Sequence, residues 1–340
     1  MFFFVARLFE IPHDCPLIGH VAFGLIDRGT NLIQIRPTSL CNLSCIFCSV
    51  DAGPNSRNRQ TEYIVHLDHL IHEFRIAIRE KELSRVHAYI DAAGDPITYR
   101  HLVELVQELS NIEEVETICL ETHGFGLSYH LIDELEAAGL TRVNLSIDAL
   151  DEDLARYISG TLAYDVKKIA EIAEYIAKST EIDILIAPVW LPGVNDREIE
   201  KIIRFALKIG AGKRVPPLGI QKYIAHKYGR KPKGVREVSW KRFYVYLKRL
   251  EEKYKVRLIL DPVRDFNIVK CKPIPLRFKL NEKTTARIIG PGWLKGQWLA
   301  VSRGRVITVI PPGRQEAPVG YEVKVKIVRN KDNIYIGVLD

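Results

Sequence analysis

Three cysteines stand at spacing C-x3-C-x2-C in Cys41-Asn42-Leu43-Ser44-Cys45-Ile46-Phe47-Cys48. Three thiolates on one short loop can converge on a single small object, and cysteine sulfur suits soft metals and iron–sulfur clusters. A structural zinc site needs a fourth ligand and usually pairs two C-x2-C units. The nearest histidine, His66, lies eighteen residues beyond Cys48. Three ligands on a four-iron cluster leave one iron open to a substrate or cofactor. The inert alternatives are three buried structural cysteines or a partial zinc knuckle.

The elements that position this loop follow from hydrophobic periodicity. Leu32-Ile33-Gln34-Ile35, just before it, reads as a buried strand. Residues 1–30 read as a short strand pair, with Asp27-Arg28-Gly29-Thr30 as the turn into that first core strand. Ile64, Leu67, Leu70, Ile71, Phe74 and Ile78 recur at helical spacing and predict a helix over 61–82 with Thr61 as its N-cap. Strands are predicted at 86–90, 115–120, 143–147, 182–189 and 218–221. Helices are predicted at 102–109, 131–138, 151–159, 164–178 and 196–209. This alternation specifies a parallel sheet with right-handed crossovers, and in such barrels chemistry sits on the loops at strand C-termini.

The cysteine motif, with the aromatic Phe47 just before its last cysteine, resembles that of the radical S-adenosylmethionine (SAM) superfamily. The resemblance implies a partial (β/α)6 TIM-type barrel and a 4Fe–4S cluster held by Cys41, Cys45 and Cys48. It implies that the open iron chelates the methionyl group of SAM, and that an electron donor such as ferredoxin or flavodoxin drives reductive cleavage to a 5′-deoxyadenosyl radical. Four further loops resemble SAM-binding motifs. Ala93-Gly94-Asp95-Pro96 stands where the family has Gly-Gly-Glu-Pro, and Thr122-His123-Gly124 where it often has Thr-Asn-Gly. Ser146-Ile147-Asp148 and Leu191-Pro192-Gly193-Val194-Asn195 end the fourth and fifth strands. The residues so implied for SAM are Phe47, Gly94, Asp95, Thr122, Ser146, Asp148, Pro192 and Asn195.

Beyond residue 222 the pattern changes. Tyr223 to Gly234 is basic and aromatic, 239–255 is helical, and 262–275 is an irregular connection. From Thr285 short alternating strands with Gly/Pro turns predict a small all-β barrel of OB-like form. Glu322 to Val328 alternates Val or Ile with Lys, giving one core face and one cationic face, and the segment resembles the TRAM domain of RNA-modifying enzymes. The expected organisation is therefore 1–30, a core at 31–222, a basic and aromatic extension at 223–282, and a TRAM-like barrel at 283–340.

The net charge of +7 hides a division. Residues 201–340 hold 33 Lys and Arg against 10 Asp and Glu; residues 1–200 hold 16 against 32. Such segregation marks a polyanion-binding surface, with nucleic acid the expected partner and an anionic membrane the competitor. No apolar run reaches the ~18–20 residues of a bilayer span. The apolar start, Met1 to Ala6, is too short for a signal h-region and breaks at Arg7, so a cytoplasmic protein without membrane association is expected. One Met and many Lys, Arg, Glu and Ile fit a hot environment.

Three single cysteines remain. Cys119, inside a predicted strand, and Cys15, before a proline, read as structural. Cys271, between Lys270 and Lys272 on the interdomain segment, is a candidate catalytic or methyl-carrying thiol, because flanking cations favour thiolate. Together these features point to a radical SAM transferase that modifies a nucleotide in tRNA or rRNA through residues 201–340, with carbon methylation as one such reaction. The alternatives are a radical SAM enzyme on a protein or small molecule, and an iron–sulfur RNA-binding regulator without turnover.

Overall fold

The computed structural model describes residues 6–313 and 315–340; the residues 1–5 of the apolar start lie outside them. In chain order the strands are Arg7–Glu10 (β1), Gly24–Asp27 (β2), Leu32–Arg36 (β3), Thr61–Ile64 (β4), Val86–Ile90 (β5), Val115–Thr122 (β6), Arg142–Leu145 (β7), Asp183–Ile186 (β8), Val189–Trp190 (β9) and Gln221–Lys222 (β10). The helices are Leu67–Lys81 (α1), Leu102–Ser110 (α2), Tyr129–Ala137 (α3), Glu152–Ser159 (α4), Val166–Ser179 (α5), Asp196–Ile209 (α6), Trp240–Tyr254 (α7) and Pro262–Phe266 (α8).

The central sheet runs β2-β3-β5-β6-β7-β8, with β3 through β8 parallel and β2 antiparallel at one edge. Period 2 decides what each face carries. Ile33, Ile35, Ala88, Ile90, Ile118, Leu120, Val143 and Leu145 are buried under the helices, whose apolar stripes follow the 3.6 period, as Ile199, Ile202, Ile203, Ala206 and Ile209 do on α6. The alternate positions carry polar groups that bond across strands. Arg36 pairs with Asp91 at 2.7 Å, Tyr89 donates to Glu121, and Asn144 Nδ2 donates to Tyr89 Oη at 3.1 Å.

Three sequence expectations change here. The N-terminal strands do not pair with each other: β1 runs parallel to β4, and β2 folds back on β3 through a turn in which Gly29 N–H donates to Asp27 Oδ1 at 2.8 Å. Thr61 caps no helix. Thr61–Ile64 is a strand because β1 and Ser39, whose N–H donates to Tyr63 O at 3.0 Å, supply ladder partners; the helix begins at Leu67. The sixth parallel strand is reduced to a single bridge, Ile186 to Leu218, and the two-residue β9–β10 pair.

The C-terminal strands Lys283–Pro291 (β11), Trp298–Ser302 (β12), Arg305–Ile310 (β13), Glu322–Arg329 (β14) and Ile336–Leu339 (β15) close a barrel in the order β11-β12-β13-β15-β14. Val325 and Ile327 are buried in its core and Lys324 is exposed, until a register shift at Ile327/Arg329 breaks the alternation. This barrel is packed onto the central body. Val306 N–H donates to Ile18 O at 2.9 Å, Tyr335 N–H to Gly19 O at 3.0 Å and Tyr63 Oη to Pro291 O at 3.0 Å. No helix among the described residues is long and apolar enough to cross a membrane.

Candidate functional site

The loop after β3 brings Cys41, Cys45 and Cys48 to one cavity of about 310 Å³ at the C-terminal ends of the strands. Close backbone packing holds it there. A Cβ at Gly94 would lie 1.9 Å from Leu40 O, so only glycine lets the loop after β5 lie against the cysteine loop. From the other side Ser44 and Ile46 N–H donate to Ser159 and Ile158 O at 3.0 and 2.9 Å, at the end of α4.

Two arginines complete the cradle. Arg230 donates through Nε to Cys45 O at 2.7 Å, through a terminal nitrogen to Ala52 O, and pairs with buried Asp51 at 3.2 Å; its own N–H donates to Cys48 O at 2.8 Å. Arg59 is fully buried. It pairs with Glu62 at 2.9 Å, donates to Ser39 O at 2.8 Å, Val50 O at 3.1 Å and Ala93 O, and lies 4.7 Å from the Trp293 ring centre. It thus ties the cysteine loop, the loop after β5 and the C-terminal barrel together. Nothing in a single-sequence reading separated these two arginines from their polar and basic surroundings.

The donor set fits an iron–sulfur cluster. Leu43 and Ala52 N–H donate to Cys41 Sγ at 3.4 Å and Cys48 Sγ at 3.2 Å, contacts that stabilise thiolate sulfur and tune cluster potentials. Among the described residues no three His, Cys, Asp or Glu side chains meet where a single metal ion could sit; all three thiols line the one cavity, and thiolate sulfur is the ligand of iron–sulfur clusters. Burial, then Asp95, pushes the free Cys41 thiol up to about 12, and burial, then Cys41 and Asp148, raises Cys45 well above the ordinary thiol range. Cluster assembly must therefore displace protons.

Of the residues expected at SAM, Phe47, Gly94 and Ser146 line the cavity; Asp95, Thr122, Asp148, Pro192 and Asn195 are not among its lining side chains. Asp95 is an internal brace, accepting from Ile97 N–H at 3.2 Å, Thr122 Oγ1 at 2.7 Å and His123 N–H at 2.9 Å. Asp148, behind the wall, accepts from Val189 N–H at 2.8 Å, and burial raises its carboxyl. Asn195 clasps its own loop, donating to Asp148 O and Val189 O at 2.9 Å and accepting from Leu191 N–H at 2.8 Å. In their stead the wall carries Glu121, His123, Gln221, Lys222 and Tyr223. Burial, then Asp91, raises the Glu121 carboxyl, so it presents a protonated form more readily than an exposed glutamate.

Cys271 needs correction. Its N–H donates to Gly29 O at 3.0 Å, and Lys270 bridges Thr30, ahead of β3 and at the opposite end of the strands from the cysteine loop. At ~3.3 Å per residue the chain from Gly29 to Arg36 alone spans roughly 23 Å. The 262–271 connection closes the bottom of the barrel, with Phe266 under Arg142 and Asn267 O accepting from Asn31 Nδ2 at 3.1 Å. Cys271→Ala is accordingly expected to leave both 5′-deoxyadenosine formation and product yield unchanged, checked by chromatography of reaction mixtures; loss of product with intact SAM cleavage would restore the thiol to the chemistry.

The radical SAM superfamily model matches residues 35–206, about half the chain. The protein MJ0103 of Methanocaldococcus jannaschii, itself uncharacterized, is 43% identical over 347 residues, covering 97% of this chain and 80% of that one. A GTP 3′,8-cyclase of Peptoclostridium acidaminophilum is 32% identical over 176 residues; the match covers 52% of this chain and spans only 51% of the cyclase. The crystal structure of Streptococcus suis SuiB bound to S-adenosylmethionine shares the fold, with a TM-score of 0.50 at 16% identity over 70% of this chain and 50% of SuiB. The superfamily uses a 4Fe–4S cluster and SAM, which is the chemistry the cysteine-lined cavity suits. The chain belongs to the radical SAM superfamily.

Proposed function

We propose that this radical SAM enzyme modifies a nucleotide within tRNA or rRNA. The cluster with SAM supplies a 5′-deoxyadenosyl radical; the protein's own residues shape the cavity and hold the RNA. The observation that carries the reading is where the cationic half of the chain sits. Residues 201–340, with 33 basic against 10 acidic side chains, begin as a wall of the cavity itself through Gln221, Lys222, Tyr223, Ile224, His226 and Arg230. A phosphate backbone drawn to that surface would be led to the cysteine loop. The C-terminal barrel, TRAM-like in its Val/Lys alternation, is the second RNA contact in this proposal. The reaction is proposed only as modification, because Cys271, the thiol considered for methyl carriage, lies at the wrong end of the barrel.

Nucleosides from tRNA and rRNA of a deletion strain, separated and weighed by mass spectrometry, test this directly. One modified nucleoside is expected to disappear and to return when purified enzyme, SAM and reductant act on the unmodified RNA. A second reading rests on the cyclase relative, whose name gives GTP, a purine nucleotide, as substrate. Unaltered RNA, with SAM cleavage stimulated by a free nucleotide, would favour it.

A further inference from the structure

Resting on the RNA reading, we propose that the groove between α7 and residues 219–224 seats a single-stranded RNA nucleotide next to the one that enters the cavity, with Trp240 and Tyr244 as its stacking platform. The groove has a volume of about 410 Å³ and shares Gln221, Lys222 and Ile224 with the cysteine-lined cavity. A nucleotide bound there would share these three side chains with whatever occupies the cavity.

The surface is rigid and of the right chemistry. Trp240 and Tyr244, four residues apart on the first turns of α7, share a helix face and stack with ring centres 5.9 Å apart at 26°. Both rings are about half exposed, at 53% and 46%, whereas Trp190, Trp293 and Trp298 are buried. Beneath them Phe243 is buried, and Tyr246 stacks on Trp190 at 4.0 Å, which fixes α7 to β9. Lys222 reaches Glu237 at 2.5 Å and lies 5.0 Å from the Trp240 ring centre, which holds the ring at the cavity side of the groove. Exposed aromatic rings accept any base, because every base has a π-face.

Charge selects the occupant. Of the nine Lys and Arg between residues 223 and 250, only Arg230 has a carboxylate partner among the described residues. The other eight are exposed, Lys241, Arg242, Lys248 and Arg249 on α7 and Lys227, Lys231, Lys233 and Arg236 on the strap of residues 223–236 that crosses the cysteine loop at Arg230. Unneutralised cations beside stacking rings match a phosphodiester strand with unpaired bases. A duplex keeps its bases stacked on one another and cannot use the platform.

Trp240 is also the natural probe. The full-length protein, titrated with a short mixed-sequence single-stranded RNA, is expected to lose tryptophan fluorescence as a base covers the exposed ring, and the same sequence as duplex is not expected to quench it. Trp240→Ala should remove the quench and weaken single-strand affinity about tenfold; Trp240→Phe should remove the quench yet bind within about twofold, since phenylalanine keeps a stacking face. Basal SAM cleavage without RNA should be unchanged in both. Single-strand affinity unaltered in Trp240→Ala would overturn the platform while leaving RNA binding in place. No RNA binding by the native protein would sink the RNA reading and this proposal with it. Quenching by phosphatidylglycerol vesicles but not by RNA would assign the patch to a membrane surface and overturn it equally.

Discussion

Replacing Cys41, Cys45 and Cys48 together with Ala abolishes iron and sulfide binding in anaerobically reconstituted protein and brings 5′-deoxyadenosine formation under reduction to background. The expectation follows from the cavity: these three thiols line one space, and two of them already accept backbone N–H bonds. With them gone, the described residues offer no three His, Cys, Asp or Glu placed to hold a metal ion. The apo-protein should still fold, because the loop's shape is kept by contacts that involve no cysteine sulfur. Gly94 lies against Leu40, Ile46 N–H donates to Ile158 O, and Arg59 and Arg230 bond to loop carbonyls. Iron and sulfide retained by the triple variant, or stoichiometric zinc in the native protein, would end the iron–sulfur reading.

Arg59→Met destabilises the apo-protein by about 3–5 kcal/mol, the range for removing one partner of a buried ion pair. Glu62, buried beside it, keeps only the Ser39 hydroxyl as a close side-chain donor, and the carbonyls of Ser39, Val50 and Ala93 lose theirs. The same change removes one tie between the cysteine loop and the loop after β5, leaving the Gly94–Leu40 contact and the Asp95 N–H bond to Leu40 O, so cluster loading should fall as well. The double variant Arg59→Met/Glu62→Leu separates the two effects. Removing both charges should recover much of the stability, yet it leaves the three carbonyls without their donor, so cluster loading stays low. Denaturant unfolding measures the first effect and iron content the second. A single variant within about 0.5 kcal/mol of the native protein, the range of an ordinary surface change, would show that Arg59 braces nothing.

Much of the architecture was legible along the chain, because periods of 2 and 3.6 are written in neighbouring residues. The strand before the cysteine loop, the alternation through α6 and the five-stranded barrel all carry such local patterns. Thr61–Ile64 was misread because Ile64 continues the helical spacing of α1, while its true partners, β1 and Ser39, are more than twenty residues away.

The cysteine loop illustrates what one sequence determines by itself: three thiols so close in the chain must lie close in space, whatever surrounds them. Tertiary structure alone decided the rest of the site. Asp95, Thr122 and Asn195 stand in the expected loops but turn into internal hydrogen bonds, since a loop's position is set by the strand before it and its side-chain directions by packing around it. Arg230, 185 residues beyond Cys45, became part of the cradle only because the strap crosses back over the loop. Cys271 moved to the far end for the same reason: the connection carrying it hydrogen-bonds to Gly29 below the strands rather than passing over the mouth. Which end of a barrel a distant segment crosses depends on bonds between residues hundreds apart, and no local period records them.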